Sequence, residues 1–524
     1  MLTPSHLQQR VARLRADGRG ALLAQSKKGL EKECLRVTAQ GEIAQTPHPE
    51  GLGSALTHPY ITTDYSEALL ELRTPPCTDV AATVAWLDEL HRYVYPRIGE
   101  ELLWATSMPC AIRADDDIPI ARYGSSNSGM MKQVYRRGLG YRYGRAMQAI
   151  AGVHFNYSLP EDFWPLYQTQ EGDRGEGRDF VSACYFALIR NLQRWGWMIP
   201  YLFGSSPALS KTFHAARHGR FAELDDATYY APYATSLRMS DIGYKNSTQA
   251  QLKISYNSLD EYVAGLSRAI ATPYPEYRRI GVRVDGEYRQ LNDHVLQIEN
   301  EYYSFIRPKQ IAHLCERPTL ALVRRGVQYV EVRALDVAAF EPGGVDIASL
   351  RFIELLLLLC LFEDSPPLDA AERASCEHNQ SLVATRGREP GLTLHARGGR
   401  RLLTDWAEDL CRRMHPIGEL LDGAGSERFY ADALRVQCER IAAPGQLPSA
   451  RMLEEMRERR DSFCRYALNL SRGHARMMRA RPLPAARDAE LAEAARYSHA
   501  RQAEIEAADS LTFEAYLRRY FEGY

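Results

Sequence analysis

The sequence lacks the marks of several large function classes. It has no Gly-x-x-x-x-Gly-Lys-Ser/Thr loop and no Gly-x-Gly-x-x-Gly run opening a helix, so P-loop and Rossmann nucleotide chemistry are not expected. Its ten cysteines are scattered, with no pair at Cys-x-x-Cys spacing. That argues against a zinc site and a disulfide framework, and leaves free thiols as the expected state. Lys plus Arg number 65 against Asp plus Glu 66, so there is no basic field for nucleic acid and no polybasic segment for an anionic membrane. The longest apolar run, residues 355–362, is far too short to cross a bilayer and reads as a buried helix. Residues 1–15 lack the apolar stretch of a signal peptide. A cytoplasmic protein that engages neither membrane nor nucleic acid is expected.

What remains is a chain of 524 residues with 45% hydrophobic and 25% charged side chains, long enough to bury a large core. Residues 6–23 carry Leu7, Val11 and Leu14 at helical spacing and predict an amphipathic surface helix. Strand-like alternation appears at 29–37, in a segment ending at Thr74, at 151–159, at 295–306 and at 328–335. Helical patterns lie at 80–101, 179–198 and 259–269, while 108–158 reads mostly as loop and short elements. From Asp346 onward the pattern is helical, at 349–363, 402–421, 427–441, 450–478 and 488–508. Strands bearing acids in the first two thirds, with helices around and after them, predict an α+β fold with an antiparallel sheet. Residues 1–345 are expected to form the catalytic sheet-and-helix core. Residues 346–524 are expected to be a mainly helical part packed on it, the whole being one compact unit.

Acids recurring at period two within these strand-like segments carry the chemistry. Glu31 and Glu33 project from one face. Glu67, Leu69, Glu71 and Arg73 oppose Ala68, Leu70 and Leu72, and a helical reading would align Asp64, Glu67 and Glu71 instead. Gln297, Glu299 and Glu301 oppose Leu296 and Ile298, and Glu331 and Arg333 oppose Val330 and Val332. Any one such segment equally fits a solvated sheet face. Four of them rich in Glu point further, because clustered carboxylates repel unless cations neutralise them. A Mg²⁺ site with hard oxygen ligands, working with nucleotide phosphates, follows from that. Arg333 is suited to stabilising a transferring phosphoryl group. His154 shares a face with Asn156. Arg136, Arg142, Arg238 and Arg307 sit in aromatic or loop contexts where a guanidinium could clamp a substrate carboxylate, although each taken singly reads as a surface or packing arginine. The residues alone lead to a metal-dependent, phosphoryl-using enzyme.

These same stretches resemble the proteobacterial type of glutamate–cysteine ligase: residues 29–37, GSALTHPYITTDYSEALLELRTP, RYGSSNSG, YRRGLGYRYG, AGVHFNYSLP, IPYLFGSSPA, PYATSLRMSDIGY, VLQIENEYY with IRPK, and YVEVRALD. The resemblance implies a glutamine-synthetase-like catalytic fold, in which a curved antiparallel sheet forms a funnel-shaped active site. It implies that Glu31, Glu33, Asp64, Glu71, His154 and Glu331 bind Mg²⁺ (or Mn²⁺) against ATP, with Arg333 facing the phosphoryl group and His154, Glu331 and Arg333 at the catalytic centre. Tyr65, Tyr135, Arg136, Leu139, Ile150, Arg238, Tyr244 and Tyr303 match positions around a cysteine subsite. The implied reaction joins the γ-carboxylate of glutamate to the amine of cysteine through a γ-glutamyl phosphate, the first step of glutathione biosynthesis, with feedback inhibition by glutathione. A ligase taking another amine, or a non-catalytic metal or amino-acid sensor, are the alternatives. Lys32 and Cys34 replace Arg and Thr of the family pattern and are expected to point away from Glu31 and Glu33. Tyr65 replaces Phe and is expected to bear on the acceptor subsite.

Overall fold

Alternation along the strands sorts the sheet into two chemically opposite faces. The computed structural model describes residues 6–16, 18, 20–213, 221–243, 252–313, 316–423 and 427–522. Its main sheet has seven strands: β1 (Lys27–Val37), β2 (Ile61–Thr63), β3 (Leu69–Arg73), β4 (Leu102–Leu103), β5 (Gly152–Ser158), β6 (Ile306–Lys309) and β7 (Tyr329–Asp336). Their order is β6-β7-β5-β1-β3-β2, with β4 on the far end of β1, and the pairings are antiparallel. Val153, Phe155, Tyr157, Val330 and Val332, all fully buried, make the back face. The register places Glu31 opposite His154, Glu33 opposite Glu71, Glu331 opposite Asn156 and Arg307 opposite Glu331, all on the front face.

The helices that matter for the site are α1 (His6–Ala16), α2 (Val80–Val94), α3 (Asn127–Tyr143), α4 (Gly177–Trp195), α5 (Ile347–Phe362), α6 (Leu403–Asp422) and α7 (Phe429–Ala442). Helix α5 is apolar on every side, as a wholly buried helix must be, and the Asp346 side chain caps it by accepting from Ser349 N at 2.8 Å. It packs among α1, α2, α4, α6 and α7 behind the sheet. Its single carboxylate, Glu354, meets Lys28 from the back of β1 at 2.8 Å and accepts from Tyr430 Oη at 2.8 Å, with Glu354 and Lys28 both excluded from solvent. Lys32, also on the back, donates to His91 Nε2 at 2.8 Å, so Lys32 and Cys34 do point away from the front-face acids. Among the described residues, no helix is long and apolar enough to cross a membrane.

Several sequence expectations need correction. The 6–23 helix is two pieces, α1 and a single turn at Gly20–Leu23. The 108–158 stretch contains the 17-residue α3. Its glycines hid it: a Cβ at Gly138 would lie 2.2 Å from Gln297 Oε1, and one at Gly140 2.7 Å from Tyr65 Oη, so close packing demands glycine where propensity disfavours it. The 295–306 segment is no strand; Glu299–Glu301 is a 3₁₀ turn and pairing begins only at Ile306. Glu299 accepts from Arg317 (2.9 Å) and Thr319 (2.6 Å), and Glu301 accepts from Arg142 (3.0 Å) and Tyr143 (2.6 Å). These acids serve buried ion pairs, and Arg142 is thereby committed to the interior.

The Lys28–Glu354 pair generates a stability test. Glu354→Leu strands a buried ammonium and should cost about 3–5 kcal/mol, whereas Lys28→Met/Glu354→Leu together should recover most of that loss. Urea unfolding midpoints measure both; a double variant no better than the single one contradicts the pairing.

Candidate functional site

The front face of the sheet gathers the acids that the strand periodicity singled out. His154 Nδ1 lies 3.3 Å from Glu31 Oε2 and 3.8 Å from Glu331 Oε1, and its Nε2 lies 3.8 Å from Glu33 Oε1. Asn156 donates to Glu31 Oε1 at 2.9 Å. Ligand atoms of Glu31, His154 and Glu331 converge within 4.8 Å of one another. His154 Nε2 and Glu331 Oε2 are buried without a hydrogen-bond partner among the described residues. Orphaned polar atoms of this kind need a partner, and carboxylate oxygens with one imidazole suit Mg²⁺ or Mn²⁺. The donor set therefore fits a divalent cation. Glu71 stands opposite Glu33 across β3, and Asp64 follows β2 in the turn of the hairpin. Glu67 does not join them: it turns away to accept from the backbone N–H of His48 (2.6 Å) and Arg122 (2.5 Å).

A β-bulge aims Arg333. Between the Val332–Phe155 and Leu335–Val153 pairs, Arg333 and Ala334 stand against His154 alone. Such an insertion redirects a side chain, and the guanidinium lies 3.4 Å from Glu331 Oε2 and 3.5 Å from His154 Nδ1. Beneath it, Arg238 donates to Arg333 O at 2.9 Å. Gly152 leaves room for that arginine, since a Cβ there would fall 2.0 Å from Arg238 Nη2. Asp336 anchors the support, accepting from Ser205 N (2.8 Å), Ser206 Oγ (2.6 Å) and Ser236 Oγ (2.8 Å).

Cations offset the acids unevenly. Burial opposes ionisation of Glu331, but Lys309, Arg333 and His154 outweigh it and hold the carboxyl well below the usual range. Burial likewise opposes Glu31, but the His154 hydrogen bond and nearby charges bring it down to about 2. Glu33 and Glu71 behave oppositely. Burial first, then the Asp64 charge, pushes Glu33 up to about 8. Burial also pushes Glu71 up to about 7, against the pull of Arg73. Burial and the Arg333 charge push the His154 imidazole down, keeping it neutral and ready to coordinate.

Beside the acids is a small cavity of about 100 Å³, lined by Glu33, Asp64, Tyr65, Tyr135, Arg136, Leu139, Gln148, Ile150, Tyr303 and Arg333 among others. Most of the positions matched to the acceptor subsite meet here; Arg238 lies behind it and Tyr244 falls outside the described residues. Arg136 uses Nε on Asp64 O and Nη1 on Lys132 O, tying α3 to the hairpin turn. Sequence reasoning did not assign Arg73, Lys309, Asn156 or Gln148 to the site. Arg73, Lys309 and Asn156 carried a signal, lying at period two from Glu71, Arg307 and His154; Gln148 carried none.

A family model described as glutamate-cysteine ligase matches residues 11–383. A glutamate–cysteine ligase of Azotobacter vinelandii is 51% identical over 516 residues, covering 98% of this chain and 97% of its own. One from Alcanivorax borkumensis is 49% identical over 522 residues, covering 98% and 99%. The crystal structure of a glutamate–cysteine ligase from Francisella tularensis in complex with AMP superposes with a TM-score of 0.90 at 38% identity, covering 95% of this chain and 98% of that one. A bifunctional glutathione synthetase from Pasteurella multocida shares the fold, with a TM-score of 0.72 at 24% identity over 89% of this chain and 55% of that one. The expected glutamine-synthetase-like α+β fold is the one observed.

Glu33 and Glu71 generate a pH prediction. Their folded pKa values, about 8 and about 7, exceed the ordinary 4.5. The stability they lend the metal-free protein is therefore complete below about pH 4.5 and lost as pH rises through 7 to 8. A divalent cation favours the ionised forms, so the melting-temperature gain on adding Mg²⁺ should grow between about pH 6 and pH 8.5, with protons released on binding. A gain that is flat or falls across this range contradicts the assignment.

Proposed function

The chain belongs to the glutamate–cysteine ligase family, and from that premise we propose how its acid-bearing sheet face works. The protein is an ATP-dependent ligase that joins L-glutamate to L-cysteine to give γ-glutamylcysteine, the first step of glutathione biosynthesis. The observation that carries the site reading is the convergence of Glu31, His154 and Glu331 beside Arg333 on one sheet face.

In this reading Glu31, Glu33, Asp64, Glu71, His154 and Glu331 hold Mg²⁺ against the phosphates of ATP. When bound, the cation neutralises phosphate charge and polarises the γ-phosphoryl group toward attack. The glutamate γ-carboxylate attacks that phosphorus and ADP leaves, giving a γ-glutamyl phosphate. Arg333, held between Glu331 and His154, faces the transferring group and stabilises charge spread over its oxygens. The cysteine amine then attacks the activated carbonyl and phosphate departs. Carboxylate oxygen is a poor leaving group, and phosphorylation replaces it with a good one.

Two cavities complete the scheme. The 100 Å³ cavity beside Glu33 and Arg333 takes the amine acceptor between Tyr65, Tyr135, Leu139 and Ile150. A cleft of about 260 Å³, bounded by Gly29, Thr74, Pro76, Asn156, Ile311 and Tyr329, adjoins the acids through Asn156. We assign it to the purine of the nucleotide.

Phosphate release from Mg-ATP tests this reading. It should be slow with glutamate alone and rise sharply with cysteine, yielding γ-glutamylcysteine. Arg333→Ala should lower the rate about 10³-fold, the scale of removing an arginine from a phosphoryl transition state. Glu331→Gln should lower it about 100-fold and raise the Mg²⁺ requirement. Cysteine-independent release, or an unchanged rate in both variants, overturns it.

A further inference from the structure

Gln148 sits in the 3₁₀ turn Ala146–Ala149 just before β5 and is more than nine-tenths buried. Its Oε1 accepts from Tyr303 Oη at 3.1 Å, which fixes the amide orientation and turns Nε2 the other way. Nε2 is buried with no hydrogen-bond partner among the described residues, and Gln148 lines the 100 Å³ cavity beside the acids. A buried amide donor left unpaired is costly, so its place is explained by a ligand that pairs it.

The other polar groups of the cavity narrow that ligand. Glu33 and Asp64 present carboxyl oxygens, which suit the ammonium of an amino acid better than its carboxylate. Arg136 spends Nε and Nη1 on the carbonyls of Asp64 and Lys132, Arg333 lies against Glu331, and Tyr135 and Asn300 also line the cavity. Tyr65 Oη, also without a hydrogen-bond partner among the described residues, abuts α3 at Gly140. A hydrogen bond received from Tyr303 polarises the Gln148 amide and strengthens Nε2 as a donor. We propose that Gln148 determines acceptor specificity by donating from Nε2 to the carboxylate of the incoming amino acid. This inference rests on the cavity being the acceptor subsite.

Steady-state kinetics with cysteine and with cysteamine, which keeps thiol and amine but lacks the carboxylate, test it in wild type, Gln148→Leu and the isosteric Gln148→Glu. Gln148→Leu should raise KM for cysteine about tenfold or more, the scale of one hydrogen bond to a charged group. Its kcat should stay within about twofold, and kcat/KM for cysteamine should not change. Gln148→Glu, which sets a carboxylate against a carboxylate, should use cysteine less well than Gln148→Leu. Equal losses with both amines, or no loss with cysteine, overturn the assignment while leaving the acceptor cavity in place. Wild-type protein that turns over neither amine overturns the acceptor reading itself.

Discussion

Mutual repulsion among carboxylates on one buried sheet face is the constraint on which the rest of the structure depends. Glu31, Glu33, Glu71 and Glu331 project into a common space because antiparallel register leaves them no alternative. In a low dielectric such groups cannot all be ionised without compensation. The protein supplies part of it through Lys309, Arg307, Arg333 and His154, which hold Glu331 and Glu31 ionised. Burial pushes Glu33 up to about 8 and Glu71 up to about 7. The protein's own cations thus balance the site only in part.

Holding that arrangement requires buried polar supports elsewhere. Asp336 ties the Ser205 backbone N–H and the Ser206 and Ser236 hydroxyls together beneath Arg238, and Arg238 fixes the carbonyl of the bulged Arg333. Behind the sheet, Glu354 neutralises Lys28 at the start of the strand that carries Glu31. The helix α3, tied to the Asp64 turn by Arg136 and to Glu301 by Arg142, lines the cavity beside the acids. Each support is a charged group with its partner in place, as burial requires. On the front face His154 and Glu331 each keep one polar atom without a hydrogen-bond partner among the described residues.

Much of this was legible in the sequence, and the exceptions have physical causes. Glu31, Glu33, Glu71, Glu331 and Arg333 were readable because period-two spacing in a strand has one structural meaning. The same spacing misled at Glu299 and Glu301, whose partners Arg317 and Arg142 are distant contacts that no local pattern reveals. Glu67 followed the alternation but lies in the hairpin turn, where its carboxylate satisfies loop backbone. Helix α3 was hidden by glycines that tertiary packing demands. Gln148 had no signal at all, since its meaning comes from an unpaired atom inside a cavity. The full set expected to bind Mg²⁺ and the positions matched to an acceptor subsite came from family resemblance, and the structure brings most of those residues to one sheet face and its adjoining cavity.

The central claim, that these acids exist to hold divalent cations against ATP, is tested most directly by anomalous diffraction from crystals grown with Mn²⁺ and a non-hydrolysable ATP analogue. The account predicts manganese density among Glu31, His154 and Glu331, with Glu33 and Glu71 ligating in the same cluster and analogue phosphates completing the coordination. Manganese bound elsewhere, with these carboxylates left uncoordinated beside a bound nucleotide, would contradict it.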